Sequence, residues 1–149
     1  KNQSYLLVND YDKCNYQTKN FGYVYRIIIE IRDKANFVTD FWDLSDFFFV
    51  TPTEYDEKVV KKALTEENIK LLKDFSEELE KIDFNISTAF IIDRINQWCF
   101  SKNIAFNKIA QPLRLSLVGK LKGPDLYILI AILGKDETIL RLQNAIKRL

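Results

Sequence analysis

Histidine and methionine are both absent from the 149 residues, and glycine (4), proline (3) and cysteine (2) are scarce. Without histidine, the chain has no Ser-His or Cys-His nucleophile, no imidazole zinc ligand and no histidine acid-base catalyst. A complete reading frame normally starts with methionine, so we expect this sequence to be a piece of a longer protein. The absences argue against catalysis within the chain, and we predict neither a catalytic residue nor a metal ligand.

The cysteines and the hydrophobic pattern favour an intracellular protein. Cys14 and Cys99 are far apart and form no CxxC motif, which suits a reducing cytosol better than a disulfide framework. No apolar run approaches the roughly 20 residues of a membrane span, and no signal-peptide pattern opens the chain. We therefore expect a cytoplasmic protein that has no membrane partner.

Helical periodicity recurs along the whole chain and predicts an all-α fold, a bundle of about seven short helices. Phe47, Phe48 and Phe49 invite a base-stacking interpretation, but their spacing favours core packing. A shift from aromatic to charged composition near residues 50–54 predicts two subdomains, 1–52 and 53–149. The pattern assigns no structure to residues 1–20. The predicted helices are 23–34 continuing into 43–49, 55–63, 66–81, one capped by Asn85 or Ser87, 107–118, 124–133 and one beginning near residue 136.

Residue types at the helix ends predict how each helix starts and stops. Thr65 is an expected N-cap, and Gly119 is an expected left-handed C-cap. Pro124 suits the first position of a helix, where its missing N–H is tolerated. Asp136 is the expected N-cap of the last helix.

The near-zero net charge of +1 hides an asymmetry along the chain. Residues 102–149 carry 9 basic and 3 acidic side chains, whereas residues 54–83 carry 6 basic and 10 acidic ones. A basic end is what a polyanion-binding face needs, because Lys and Arg displace phosphate counterions. The alternative is a solvated helical surface, and charge alone favours that alternative.

The segment from Ala110 to Leu117 places Pro112 inside an apolar helical run. Gln111 offers both a donor and an acceptor, and Arg114 offers a planar fork. Such groups read base edges or stack on an unpaired RNA base. The alternative is an arginine that caps a main-chain carbonyl between helices, and the residues alone leave both interpretations open.

Basic residues and a tight turn flank this segment. Gly123 permits close backbone approach, and the helix predicted after Pro124 would present its N-terminus near Leu126. The lysines expected to pair with phosphates are Lys108, Lys120 and Lys122.

This part of the chain closely resembles the C-terminal signature of bacterial-type glutamyl-tRNA synthetases. An upstream Phe-rich segment and, weakly, an Asn-x-x-Tyr segment at residues 2–5 extend the resemblance over almost the whole chain. The matching residues are Gln111-Pro112-Leu113-Arg114, Gly119, Gly123-Pro124-Asp125-Leu126, Ile132-Leu133-Gly134-Lys135, Arg141-Leu142 and Phe47-Phe48-Phe49.

The resemblance implies a helical anticodon-binding region of a ligase that uses ATP to charge tRNA with glutamate. It implies that Gln111 and Arg114 contact anticodon nucleotides, and that Gly123, Pro124 and Leu126 pack against anticodon bases. ATP and Mg²⁺ belong to the parent enzyme, whose catalytic domain would precede this segment; we expect no cofactor in the chain itself. The expected partner is tRNA(Glu), and we expect a monomer that binds no DNA.

One position departs from the family. The family's arginine that reads the third anticodon base aligns with Lys34, with Arg32 as the alternative. Because Arg is a bidentate fork and Lys a mobile point charge, Lys34 predicts weaker readout of that base. The resulting hypothesis is that the parent enzyme also charges tRNA(Gln).

A protein-interaction module without RNA binding is the alternative function. It would use the acidic surface of residues 54–83 to hold a partner protein.

Overall fold

The computed structural model describes residues 21–148, and the resemblance noted at residues 2–5 lies outside them. Within the described residues the chain is helical, without strands, which confirms the predicted all-α class. It divides into one unit that ends at Thr51 and a second that begins at Pro52. Residues 21–148 contain eight helices: α1 (Phe21–Ile31), α2 (Asp40–Phe49), α3 (Glu57–Ala63), α4 (Glu66–Lys81), α5 (Thr88–Ser101), α6 (Phe106–Val118), α7 (Leu126–Leu133) and α8 (Lys135–Lys147).

The first unit is built on aromatic packing between α1 and α2. The hydroxyl of Tyr23 donates to the main-chain oxygen of Phe48 at 2.6 Å, and the Tyr23 ring meets that of Phe49 edge-on. The side chains of Phe47, Phe48 and Phe49 are all buried, which confirms their interpretation as core residues. The Phe-rich segment therefore stabilises this unit and offers no stacking surface.

The second unit is organised around α4, α6 and α8, which pack on one another, while α5 packs on α7. Leu72, Phe75 and Leu79 recur at spacings of three and four on α4 and are fully buried. The ring of Phe75 lies 5.1 Å from that of Trp98 on α5. Burial of these large side chains gives α6 and α7 a fixed base.

Two predicted N-caps are confirmed. The Thr65 hydroxyl accepts the amide of Asn68 at 3.3 Å, and the Ser87 hydroxyl, rather than Asn85, accepts the amide of Phe90 at 3.0 Å. Each bond satisfies one of the amides that a helix leaves open at its start.

Two predicted bounds in the first half of the chain were wrong. Helix α1 ends at Ile31 rather than at Lys34, because the Lys34 amide donates to the Ile31 carbonyl and closes a tighter turn. Helix α3 begins at Glu57 rather than at residue 55, because the Asp56 side chain accepts the amide of Lys58.

The starts of the last two helices also differ from the prediction. Helix α7 begins at Leu126, two residues after Pro124, because Asp125 takes the N-cap position. Helix α8 begins at Lys135 with Gly134 at its N-cap position, so Asp136 lies in the first turn instead of capping it. An acidic side chain in the first turn still favours the helix dipole.

Gly119 ends α6 in the left-handed conformation, as predicted, with φ +83° and its amide bonded to the Leu115 carbonyl at 2.8 Å. A Cβ atom at this position would lie 2.6 Å from the main-chain oxygen of Glu54. The Gly119 carbonyl also accepts the amide of Asp56 at 3.1 Å. Only glycine permits this close approach, which fixes where the loop after α6 begins.

Candidate nucleic-acid interface

Arg114 on α6 reaches across to the loop that precedes α7. Its Nη1 donates to the carbonyl of Pro124 at 2.7 Å and makes a longer contact of 3.4 Å with the carbonyl of Lys122. The side chain is half-buried, and this burial lowers the pKa of the Arg114 guanidinium, while the nearby Asp125 carboxylate raises it. Arg114 therefore caps main-chain carbonyls, the arrangement that the sequence left open as an alternative to base contact.

The loop ends on a firmly anchored helix start. The Asp125 carboxylate accepts the amides of Tyr127 at 2.9 Å and Ile128 at 3.3 Å. Pro124 and Leu126 are buried, whereas Gly123 is exposed and has φ +125°, a value that favours glycine. Of the three residues expected to pack against bases, only Gly123 is exposed.

Gln111 lies one turn before Arg114 on the same face of α6, since residues three apart are neighbours on a helix. It is exposed, and so are Lys120 and Lys122 beyond the end of the helix. Neither lysine has a carboxylate partner among residues 21–148. The exposed amide of Gln111 thus lies on α6 just before the loop that Arg114 bonds, and the exposed ammonium groups of Lys120 and Lys122 belong to that loop.

Pro112 remains inside α6 although it has no amide to donate. It is buried, and its carbonyl accepts the hydroxyl of the buried Ser116 at 2.8 Å. The proline therefore packs inward, and its position leaves Gln111 on the exposed side.

Lys108 differs from the other predicted phosphate-binding lysines because its ammonium group already pairs with the Glu67 carboxylate of α4. The hydrogen bond and the charge of Lys108 lower the pKa of Glu67. An anion would have to compete with Glu67 for this lysine.

Lys34 belongs to the first unit, so its position is described apart from the loop. It lies in the turn after α1, exposed, with Nζ 3.8 Å from a carboxylate oxygen of Glu30. Arg32, the alternative reader, lies 3.6 Å from Asp33 through Nε. Both contacts are weak surface pairs, since exposed pairs of this kind contribute little.

Sequence reasoning missed the role of Arg141, which the resemblance marked only as part of a motif. Arg141 is fully buried, and its Nε donates to Glu137 one turn earlier on α8 at 2.7 Å. Its Nη1 donates to the carbonyl of Leu117 in the last turn of α6, also at 2.7 Å. The residue braces the helix end from which the loop departs.

Tyr127 is a second residue that the sequence did not single out. Its ring stacks on that of Phe106 with centroids 4.4 Å apart, and its hydroxyl donates to Asn96 on α5 at 2.7 Å. Burial raises the pKa of the Tyr127 phenol most, and electrostatic interactions with the nearby Cys99 and Asp125 side chains raise it further. These contacts attach the first turn of α7 to both α5 and α6.

Between residues 21 and 148, the structure brings no three Asp, Glu or Cys side chains together in an arrangement that could hold a metal ion. In the same part of the chain, every helix is too short or too polar to cross a membrane.

Comparison with known proteins identifies the family. Residues 3–146 match the anticodon binding domain family. The chain is 44% identical over 124 residues to the glutamate–tRNA ligase of Flavobacterium johnsoniae, covering 83% of this chain and 24% of that protein. It is 39% identical over 127 residues to the glutamate–tRNA ligase of Christiangramia forsetii, covering 85% of this chain and 25% of that protein.

A solved structure has the same fold. The crystal structure of a glutamate–tRNA ligase from Elizabethkingia meningosepticum, in complex with its amino acid, superposes with a TM-score of 0.80 at 34% identity. The match covers 98% of this chain and 31% of that one. The chain thus spans about a quarter of the length of the curated relatives it matches. It belongs to the anticodon-binding domain family.

Proposed function

We propose that the chain is the anticodon-binding part of a glutamate–tRNA ligase, and that the whole cytoplasmic enzyme attaches glutamate to tRNA(Glu). The observation that carries this proposal is the 44% identity to a glutamate–tRNA ligase over 83% of the chain. ATP and Mg²⁺, which such ligases use, would be bound by the catalytic part of the enzyme. The part described here would contribute recognition of the tRNA.

The anticodon would bind at the surface formed by α6 and the loop before α7. The exposed Gln111 amide can donate to and accept from the edge of an unpaired base. Lys120 and Lys122 would pair with phosphates, and Gly123 would let the RNA backbone or a base approach the main chain. In this proposal Pro124 and Leu126 are buried beneath the surface and support the loop from the protein interior.

Binding to an RNA hairpin tests this proposal. The 149-residue chain is titrated with a hairpin carrying the glutamate anticodon and with a hairpin of the same stem and a shuffled loop. We expect preference for the first hairpin, and Gln111→Ala should reduce that preference by about 5- to 100-fold, the range for loss of base hydrogen bonds. Gln97→Ala is the control, because Gln97 is also exposed but bonds Asp93 on α5. Equal binding of both hairpins by the wild-type chain would refute the proposal.

We also propose that Lys34 reads the third anticodon base and does so less stringently than an arginine would. The exposed ammonium group, 3.8 Å from Glu30, is only loosely held and can turn toward an RNA base. The whole enzyme should therefore charge tRNA(Gln) as well as tRNA(Glu), and Lys34→Arg should increase the discrimination. Strong rejection of tRNA(Gln) by the unaltered enzyme would contradict this. Arg32→Ala tests the alternative reader in the same assay.

A protein-interaction module without RNA binding is not supported by the comparisons, because the matching family is an anticodon-binding one. Three acidic residues of α4 form ion pairs within the chain: Glu67 with Lys108, Asp74 with Lys102, and Glu78 with Lys81 and Arg94.

A further inference from the structure

We propose that Phe37 stacks on the third anticodon base of the tRNA, and that Lys34, three residues earlier, contacts the same nucleotide. Phe37 lies in the segment between α1 and α2, in the first unit. The inference rests on the proposed function and adds a second residue to the binding of that base.

The first argument is the exposure of the Phe37 ring. Phe37 is 74% exposed, whereas Phe41, Phe47, Phe48 and Phe49 on α2 are at most 6% exposed. Exposure of a single apolar side chain is common and does not mark a site. Here it coincides with a fixed main chain and with neighbouring cations, and the three features together are what a stacking residue needs.

The second argument is that hydrogen bonds hold the main chain around Phe37 from both sides. The Lys34 amide donates to the Ile31 carbonyl at the end of α1 at 2.9 Å. The amides of Asn36 and Phe37 donate to one carboxylate oxygen of Asp40, the first residue of α2, at 2.9 and 2.8 Å. The Phe37 carbonyl in turn accepts the Asp40 amide at 3.1 Å. Because this backbone is already ordered, little conformational entropy is lost when a base stacks on the ring.

The third argument is the charge beside the ring, which favours RNA over an apolar protein partner. Lys34 and Arg32 are both exposed. Lys34 lies 3.8 Å from Glu30 and Arg32 lies 3.6 Å from Asp33, and such exposed ion pairs are weak. Three residues of chain span at most about 11 Å, so the Lys34 ammonium group and the Phe37 ring can contact one nucleotide. Proteins hold unpaired bases by this combination of aromatic stacking and nearby positive charge.

The two side chains would have different roles. Every base has a π-face, so stacking on Phe37 contributes affinity whatever the base is. The edge of the base carries its identity, and this edge is left to the ammonium group of Lys34. A lysine is a mobile point charge, so a ring that fixes the position of the base would compensate for the missing geometry of an arginine fork.

The test is a binding cycle between Phe37 and the third anticodon base. The 149-residue chain and its variants Phe37→Ala, Phe37→Leu and Phe37→Trp are titrated with the glutamate-anticodon hairpin. Two further hairpins lack the base at the third or at the first anticodon position. Phe37→Leu keeps an apolar side chain without a ring, and Phe37→Trp keeps a ring. Phe100→Ala is the control, because Phe100 is 87% exposed but lies on α5 in the second unit.

Phe37→Ala should weaken binding of the intact hairpin by about 5- to 150-fold, the range for loss of one stacked base. It should have almost no effect on the hairpin without the third base and its full effect on the hairpin without the first. Phe37→Trp should bind like the wild type and Phe37→Leu like Phe37→Ala, while Phe100→Ala should change nothing. Urea unfolding of Phe37→Ala should match the wild type because the side chain is exposed, which separates loss of stacking from loss of the fold.

Two results would overturn the inference: equal binding of the intact hairpin by the wild type and Phe37→Ala, or an equal loss in Phe37→Ala when the third base is missing. The second result would assign the ring to a contact other than that base. A wild-type chain that does not distinguish the glutamate-anticodon hairpin from the shuffled one would refute the proposed function as well. A wild type that keeps this preference while Phe37→Ala binds equally well would refute the role of Phe37 alone.

Discussion

Arg141 on α8 donates from Nη1 to the main-chain oxygen of Leu117 on α6 at 2.7 Å, with its side chain fully buried. The same guanidinium bonds Glu137 through Nε, so one residue joins the end of α6 to α8. Because the loop held by Arg114 starts just beyond Leu117, the buried arginine fixes the base of the proposed RNA surface. Arg141 thus bonds the end of α6 from inside the core, and Arg114 bonds the loop that follows α6 from the edge of the core.

Replacing Arg141 should destabilise the second unit strongly. Arg141→Met keeps the apolar stem but leaves the Leu117 carbonyl without its donor and the half-buried Glu137 without its partner. Removal of one member of a buried pair typically costs about 3 kcal/mol of unfolding free energy. Urea unfolding measures the loss. Arg94→Met, which breaks only the 3.5 Å contact with Glu78, should cost less than about 1 kcal/mol, and an equal loss in both variants would contradict the assigned role.

Gly119 should tolerate no side chain, and asparagine should not rescue the position. Both Gly119→Ala and Gly119→Asn place a Cβ 2.6 Å from the Glu54 carbonyl at φ +83°. Each should lower the unfolding free energy by about 2 kcal/mol or more. Asparagine tolerates left-handed backbone better than alanine. Much greater stability of the asparagine variant in urea unfolding would show that φ alone, and not the close approach to Glu54, selects glycine.

Removing the hydroxyl group of Tyr55 and that of Tyr127 should have different effects on the free energy of unfolding. The buried Tyr55 hydroxyl has no hydrogen-bond partner within residues 21–148, whereas the hydroxyl of Tyr127 donates to Asn96. Tyr55→Phe should be at least as stable as the wild type, and Tyr127→Phe should lose about 1 kcal/mol in urea unfolding. A marked loss of stability in Tyr55→Phe would contradict the assignment of its hydroxyl.

The pH dependence of Tyr55 has a defined sign. Burial raises the pKa of the Tyr55 phenol, although Arg148 and Arg141 act to lower it. The neutral phenol is therefore favoured in the folded state. This contribution to stability is present below the ordinary tyrosine pKa and is lost as the pH rises through the raised value. Unfolding measured between neutral and strongly alkaline pH should show less alkaline loss for Tyr55→Phe, and an unchanged profile would refute the shift.

The Glu67 carboxylate should report the pairing of Lys108. The hydrogen bond and charge of Lys108 lower the pKa of Glu67, so the ion pair is present above the ordinary glutamate pKa and is lost as the pH falls through the lowered value. An NMR titration of Lys108→Met should find the Glu67 pKa moved back toward its ordinary range. Lys102→Met, which breaks the separate pair with Asp74, should leave Glu67 unchanged. If the pKa of Glu67 were the same in Lys108→Met as in the wild type, the two side chains would not be paired, and Lys108 would be available to bind RNA phosphates.

Local sequence signals predicted most of the fold. The periodicity of Leu72, Phe75 and Leu79 located α4 and its buried face, and the hydroxyls of Thr65 and Ser87 marked helix starts, because capping depends on nearest neighbours along the chain. The start of α7 was misplaced because Pro124 and Asp125 are both good start signals. The choice between them depends on which amides the Asp125 carboxylate reaches in three dimensions.

The candidate interface was harder to predict because its contacts join residues far apart in sequence. Nothing local distinguishes an Arg114 that reads a base from one that bonds the Pro124 carbonyl ten residues later. The pairing of Lys108 with Glu67 joins residues 41 positions apart, so it could not be predicted from the spacing of residues along the sequence either. The burial of Arg141 reverses the usual expectation that arginine lies at the surface. Motif resemblance pointed to the candidate segment, and tertiary packing shows which contacts its residues make within the chain.

The most direct test of the central claim is an NMR titration of the 149-residue chain with the glutamate-anticodon hairpin, following backbone amides and the Gln111 side-chain amide. The account predicts that the largest shifts occur at Gln111 and in the loop of residues 120–123, with the acidic face of α4 unaffected. Shifts concentrated on α4, or none at hairpin concentrations that saturate the whole ligase, would contradict it.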